Sequence, residues 1–272
     1  MQKHQMQLGG KTLSYVDEGK GPVLLFGHSY LWTSGMWAAQ VNALSDSYRC
    51  IVPELWGHGD SDPVGECESY HLDALTDDMA SFVNALGVDK FSMIGLSVGG
   101  MWGARLAHRL GERVEKLVLM DTDLGAEPGE SQAKFLGMIG MAAAAGAFPP
   151  PLVEAVLPFF FCDATLQKEP EFVDAYRQSL LQWRPEAMPG TLAVGRGVFT
   201  RENFLPQLSE IRCPSLVMAG EQDRSRPPAE AKVLADTLAN SELKIIPDAG
   251  HIPSVEQPDL VSGILGEFLK TQ

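Results

Sequence analysis

Apolar residues fall along this chain in short blocks that alternate with longer amphipathic stretches. Residues 22–26 (PVLLF), 48–52, 91–94, 114–120, 215–219 and 243–246 are short runs bounded by charge, glycine or proline. Runs of that length predict strands buried on both faces. Residues 11–18 alternate Leu13, Tyr15 and Asp17 against Thr12, Ser14 and Val16, which predicts a partly exposed early strand. Between the runs, residues 36–44, 72–86, 98–110, 228–238 and 258–269 carry apolar positions at helical spacing. In residues 72–86 one side holds Leu75, Met79, Phe82, Val83 and Leu86, and Gly87 ends the helix. Strand and helix in alternation predict an α/β protein with a mainly parallel sheet and helices on both faces.

The texture changes at Gly125. Residues 135–148 are rich in Met, Ala and Gly, and Pro149, Pro150 and Pro151 then break the pattern. Phe159, Phe160 and Phe161, a helical pattern over 171–183 and another stretch over 190–198 follow. The expected division is an α/β core of residues 1–124 and 206–272, with residues 125–205 inserted as a helical cap. Its Met, Phe and Trp side chains, Trp183 among them, would roof a site, although most must simply pack the cap onto the sheet.

The chemistry centres on Gly95-Leu96-Ser97-Val98-Gly99, a G-x-S-x-G match between a predicted strand and a predicted helix. Such a turn projects a serine hydroxyl from the sheet edge, and the helix aims its positive end at the place where an anion would form. Gly100 and Gly103 allow close packing of that helix on the sheet. A serine hydroxyl is a poor nucleophile unless a base removes its proton and a third group orients the base. His251, after the last strand, is the expected base. Asp223, after the strand at 215–219, is the expected orienting acid, with Asp121 or Asp123 as the alternative. Sites in parallel sheets lie at the carboxyl ends of strands. His28, Ser97, Asp121, Asp223 and His251 all fall just past such ends, so they share one rim. An oxyanion pocket needs two N–H donors. Val98 supplies the first, and the loop after residues 22–26 the second, from Tyr30 with Ser29 as runner-up.

Composition narrows the partners. The formal net charge of −14 makes nucleic acid and anionic membranes unattractive. Cys50, Cys67, Cys162 and Cys213 are scattered without a C-x-x-C pair, which fits neither a zinc site nor a disulfide framework. No basic, apolar leader and no long apolar run is present, so the expectation is a cytoplasmic protein.

The chain resembles the α/β-hydrolase superfamily over nearly its whole length. The resemblance rests on Gly27-His-Ser-Tyr-Leu-Trp with Met36-Trp37, Trp56-Gly-His-Gly-Asp-Ser, Gly95-Leu-Ser97-Val-Gly, Gly220-Glu-Gln-Asp223 and Asp248-Ala-Gly-His251. It is closest in pattern to small capped bacterial esterases and lactonases, and departs in having His28-Ser29 where those carry His-Gly. The resemblance implies a serine hydrolase of carboxylic esters or lactones with no metal and no organic cofactor. Substrate would meet His28, Ser29, Leu96 and Trp183, and the chain would act as a monomer or homodimer on a small molecule. The alternatives are C–C bond hydrolysis of a keto acid held by Arg105, Arg196 or Arg201, and ligand binding without turnover.

Overall fold

The computed structural model describes residues 1–65, 67–168 and 170–271. Eight strands form one sheet in the order β1-β2-β4-β3-β5-β6-β7-β8. They are β1 (Lys3–Leu8), β2 (Lys11–Glu18), β3 (Val23–Gly27), β4 (Arg49–Pro53), β5 (Phe91–Leu96), β6 (Val114–Met120), β7 (Ser215–Gly220) and β8 (Ser241–Ile246). The pairs β1–β2 and β2–β4 are antiparallel. The other pairs are parallel. Every residue of β5 and β7 is buried, as expected of central strands covered on both sides. At the edges, β1 and β8 alternate toward solvent.

The helices are α1 (Ala38–Leu44), α2 (Leu72–Ala85), α3 (Val98–Leu110), α4 (Gly129–Ala145), α5 (Pro150–Phe160), α6 (Asp163–Lys168), α7 (Glu171–Leu181), α8 (Met188–Phe199), α9 (Leu205–Leu208), α10 (Pro228–Thr237), α11 (Pro253–Glu256) and α12 (Pro258–Lys270). One pair, α1 and α12, packs together, and α2 packs on α3. Helices α4 to α9 all lie in the connection between β6 and β7, which are neighbours in the sheet.

The proline run does not interrupt a helix but begins one: Pro149 is the N-cap of α5 and Pro150 its first residue. Proline suits that position, because its missing N–H would have no intrahelical partner there. Strand β1 escapes a hydrophobic pattern search, since KHQMQL is polar on its exposed side and gains its place by pairing with β2. Strand β2 is buried through its middle on both faces, Ser14 included, and partly exposed at its ends, at Lys11, Thr12, Asp17 and Glu18.

Candidate active site

Strand β5 delivers Ser97 to the carboxyl edge of the sheet, and α3 starts at the next residue. Ser97 has φ 55° and ψ −120°, a conformation that costs a non-glycine residue roughly 1–3 kcal/mol. The surroundings hold it there. Ser97 N–H donates to the Met120 carbonyl at 2.9 Å, and its own carbonyl accepts from the Thr122 hydroxyl at 2.7 Å. The flanking glycines permit the close approach this needs. A Cβ on Gly99 would lie 2.1 Å from the Gly27 carbonyl oxygen, and one on Gly95 would lie 2.3 Å from that of Gly99.

His251 follows β8 and is 3% exposed. Its backbone N–H donates to the Phe160 carbonyl at 2.9 Å, and the Phe160 ring lies 5.8 Å from the imidazole. Glu256 ties the same loop to the end of α5, accepting from Gly250 N–H at 2.6 Å and Cys162 N–H at 2.9 Å. His251 Nδ1 lies 2.7 Å from Asp223 Oδ2. Asp223 Oδ1 accepts from the N–H groups of Ser225 and Arg226 at 2.7 and 3.0 Å. Of the three candidate acids, Asp223 is the one on the imidazole. Asp123 instead binds Gly125 N–H and Arg201, and Asp121 Oδ1 accepts from Gly220 N–H.

The loop after β3 is held by two buried histidines. His28 Nε2 accepts from Leu55 N–H at 2.9 Å, which leaves Nδ1–H to donate to the Ser29 carbonyl at 2.8 Å. His58 Nε2 accepts from Leu31 N–H at 3.1 Å, and its Nδ1–H donates to the Trp56 carbonyl at 2.9 Å. Burial pushes His28 down to about 4 and His58 to about 3, so both are neutral at physiological pH. Between the two anchors, the Tyr30 N–H has no hydrogen-bond partner among the described residues, whereas Ser29 N–H points at the Met36 sulfur at 3.3 Å. Val98 N–H, at the first position of α3, also has no partner among the described residues. Tyr30 and Ser97 line one cavity, and Val98 directly follows Ser97.

That cavity has a volume of about 80 Å³ and brings together Ser97, His251, Ser29 and Tyr30. Its walls are mainly apolar, with Phe135, Ile139, Phe148 and Phe159 from α4, α5 and the turn between them, and Phe199 from α8. Three expected contacts fall elsewhere. Leu96 is fully buried in β5, and His28 is fully buried behind the loop, supporting the Ser29 carbonyl. Trp183 lines a separate cleft of about 380 Å³ with Trp32 and Tyr176, and donates through Nε1 to Thr191. Arg105, Arg196 and Arg201 do not line the cavity. The cation that does is Arg226, which sequence patterning gave no reason to single out. It shares Glu127 with Arg201 in a buried cluster that also takes in Asp123.

Among the described residues, three of the four non-glycine residues with positive φ border this region: Leu31, Ser97 and Asp121. A strained serine on a helix N-terminus, an imidazole fixed by a carboxylate, and two free N–H groups are the parts that nucleophilic acyl chemistry requires.

The chain belongs to the alpha/beta hydrolase fold family, whose sequence model matches residues 22–258. It is 28% identical over 262 residues to 3-oxoadipate enol-lactonase 2 of Acinetobacter baylyi, covering 95% of this chain and 93% of that protein. A thermophilic esterase from Thermogutta terrifontis superposes with a TM-score of 0.89 at 30% identity, over 99% of this chain and 98% of that one. The enol-lactonase from Burkholderia xenovorans LB400 gives a TM-score of 0.88 at 26% identity, over 98% and 100%. Among the described residues no helix is long and apolar enough to cross a membrane.

Proposed function

We propose that this protein is a serine hydrolase of carboxylic esters, lactones included. The observation that carries the reading is the placement of Ser97 and His251 on one apolar cavity, with His251 Nδ1 2.7 Å from Asp223. Ser97 Oγ attacks the ester carbonyl while His251 Nε2 takes its proton. Asp223 keeps the proton of His251 on Nδ1, so that Nε2 is free to act as base, and stabilises the imidazolium that forms. The N–H groups of Tyr30 and Val98 hold the oxyanion, a contribution of ~3–4 kcal/mol for a single donor in comparable sites. His251 returns its proton to the departing alcohol. Water then repeats the sequence and frees the acid. With a lactone, the alcohol and the acid are the two ends of one ring-opened product.

The apolar walls favour a small, largely uncharged acyl group. The names of the relatives, esterase and enol-lactonase, point to the same bond. The helical segment between β6 and β7 acts as the cap that excludes water. The test is hydrolysis of a chain-length series of nitrophenyl esters and simple lactones by the wild type and Ser97→Ala. Short acyl chains are expected to be preferred, with kcat in the variant down by roughly 10³-fold or more. Equal turnover in the two proteins would overturn the assignment of Ser97.

A further inference from the structure

Asp121 is a buried carboxyl group that the acyl-transfer chemistry leaves without a task. It follows β6 in left-handed backbone, φ 45°, and is 1% exposed. Oδ1 accepts from Gly220 N–H at 2.7 Å, while Oδ2 is buried without a partner among the described residues. One ligand-type atom each from Asp121, Asp223 and His251 lie within 4.8 Å of one another. Two carboxyl groups this close, out of water, do not both ionise. The other titratable groups facing Asp121 are Asp223, after β7, His251, after β8, and Glu256 of α11. No cation forms an ion pair with Asp121 among the described residues, whereas Asp223 has His251 Nδ1 within hydrogen-bond distance.

The hydrogen bonds decide which partner keeps the charge. Asp223 accepts from Ser225 N–H, Arg226 N–H and His251 Nδ1–H. Asp121 accepts from Gly220 alone. The charge therefore sits on Asp223 and the proton on Asp121. Burial first, and the Asp223 charge second, push the Asp121 carboxyl well above the usual carboxylate range.

We propose that Asp121 is a neutral carboxylic acid whose O–H donates to Asp223, so that the two side chains present a single negative charge to His251. It is a positioning residue, and this role rests on the reading of Ser97, His251 and Asp223 above. A second full charge within 4.8 Å of the imidazole would favour the imidazolium. A histidine held protonated at neutral pH cannot take the serine proton. The proton on Asp121 keeps the field at one charge and gives Asp223 a further donor that fixes its orientation.

Infrared difference spectroscopy of wild type against Asp121→Asn at pH 7 tests the proton directly. The wild type is expected to show a protonated-carboxyl carbonyl band that the variant lacks. A spectrum without that band overturns the proposal. Because Asn keeps both an acceptor for Gly220 and a donor for Asp223, Asp121→Asn should leave the NMR titration midpoint of His251 within about half a unit of wild type. A larger fall would mean that Asp121 is ionised, and would equally overturn it. Asp121→Val removes the donor. It is expected to lose about tenfold in kcat with KM within about twofold, and Asn to recover most of that loss. A Val variant with wild-type kcat refutes the positioning role. If the Val variant does not fold, the infrared band and the Asn titration still decide. If the wild type turns over no ester, the hydrolase reading fails, while those two measurements still report on the Asp121 proton.

Discussion

His28 and His58 make the loop carrying Tyr30 acid-labile, and the size of the effect follows from their burial. Each has one ring nitrogen accepting from a backbone N–H, so protonation turns an acceptor into a donor facing a donor. Their folded values of about 4 and about 3 lie below the ordinary 6.5 of an unfolded histidine. The unfolded chain thus binds more protons than the folded one as pH falls below 6.5, and stability is lost in that window. Between pH 7 and pH 4.5 the linkage amounts to about 2.5 kcal/mol for each histidine. Asp121 and Glu230 work in the opposite sense. Burial first raises both, Glu230 to about 7, so the folded state gains protons from them over part of the same range. The histidine contribution must therefore be read as a difference. His58→Gln keeps an acceptor for Leu31 N–H and does not titrate. Urea unfolding at pH 7 and 4.5 should show the variant less stable than wild type at pH 7, but losing about 2.5 kcal/mol less on acidification. Identical losses in the two proteins would refute the account of His58 as a buried neutral acceptor.

Other substitutions separate structural from catalytic contributions. Glu127→Gln leaves Arg201 and Arg226 without their shared carboxylate and should cost about 3–5 kcal/mol in urea unfolding, whereas Glu186→Gln, at the exposed Arg184 pair, should cost less than about 0.5 kcal/mol. Gly99→Ala drives a methyl into the Gly27 carbonyl at 2.1 Å and should cost about 3 kcal/mol or more, or abolish soluble expression. Phe135→Ala enlarges the cavity that Ser97 lines and should raise kcat/KM for longer acyl chains over acetyl by roughly tenfold in the nitrophenyl ester series.

Much of this architecture was legible because parallel strands buried on both faces leave unmistakable apolar runs. Residues 114–120 were bounded correctly at both ends by composition alone. The rim followed as well, since His28, Ser97, Asp121, Asp223 and His251 each come directly or shortly after a strand. What stayed hidden depends on side-chain direction. Leu96 and Trp183 adjoin the right segments but point into the core and into another cleft. Arg226 reaches the cavity only because Asp223 turns the chain back through two backbone hydrogen bonds. Strand β1 turns only Met6 and Leu8 toward the core, too short an apolar pattern to stand out, and α5 begins inside what reads as a proline breaker. That Met36 returns to face Ser29 N–H, which supports the proposed use of Tyr30, could not be read from the chain either.

The connection carrying α4 to α8 leaves and returns at one point: Phe204 N–H bonds the Leu124 carbonyl at 2.7 Å, and β6 and β7 pair directly. The sheet is therefore complete without it. The length of such a side loop enters stability only logarithmically, so another segment of different size can be spliced there at small cost. On the proposed reading of that segment as a cap, substrate range would be open to recombination at a single junction rather than to scattered point changes. One condition travels with any graft. It must still offer a carbonyl to His251 N–H and an amide to Glu256, as Phe160 and Cys162 do now, or the imidazole loses its footing.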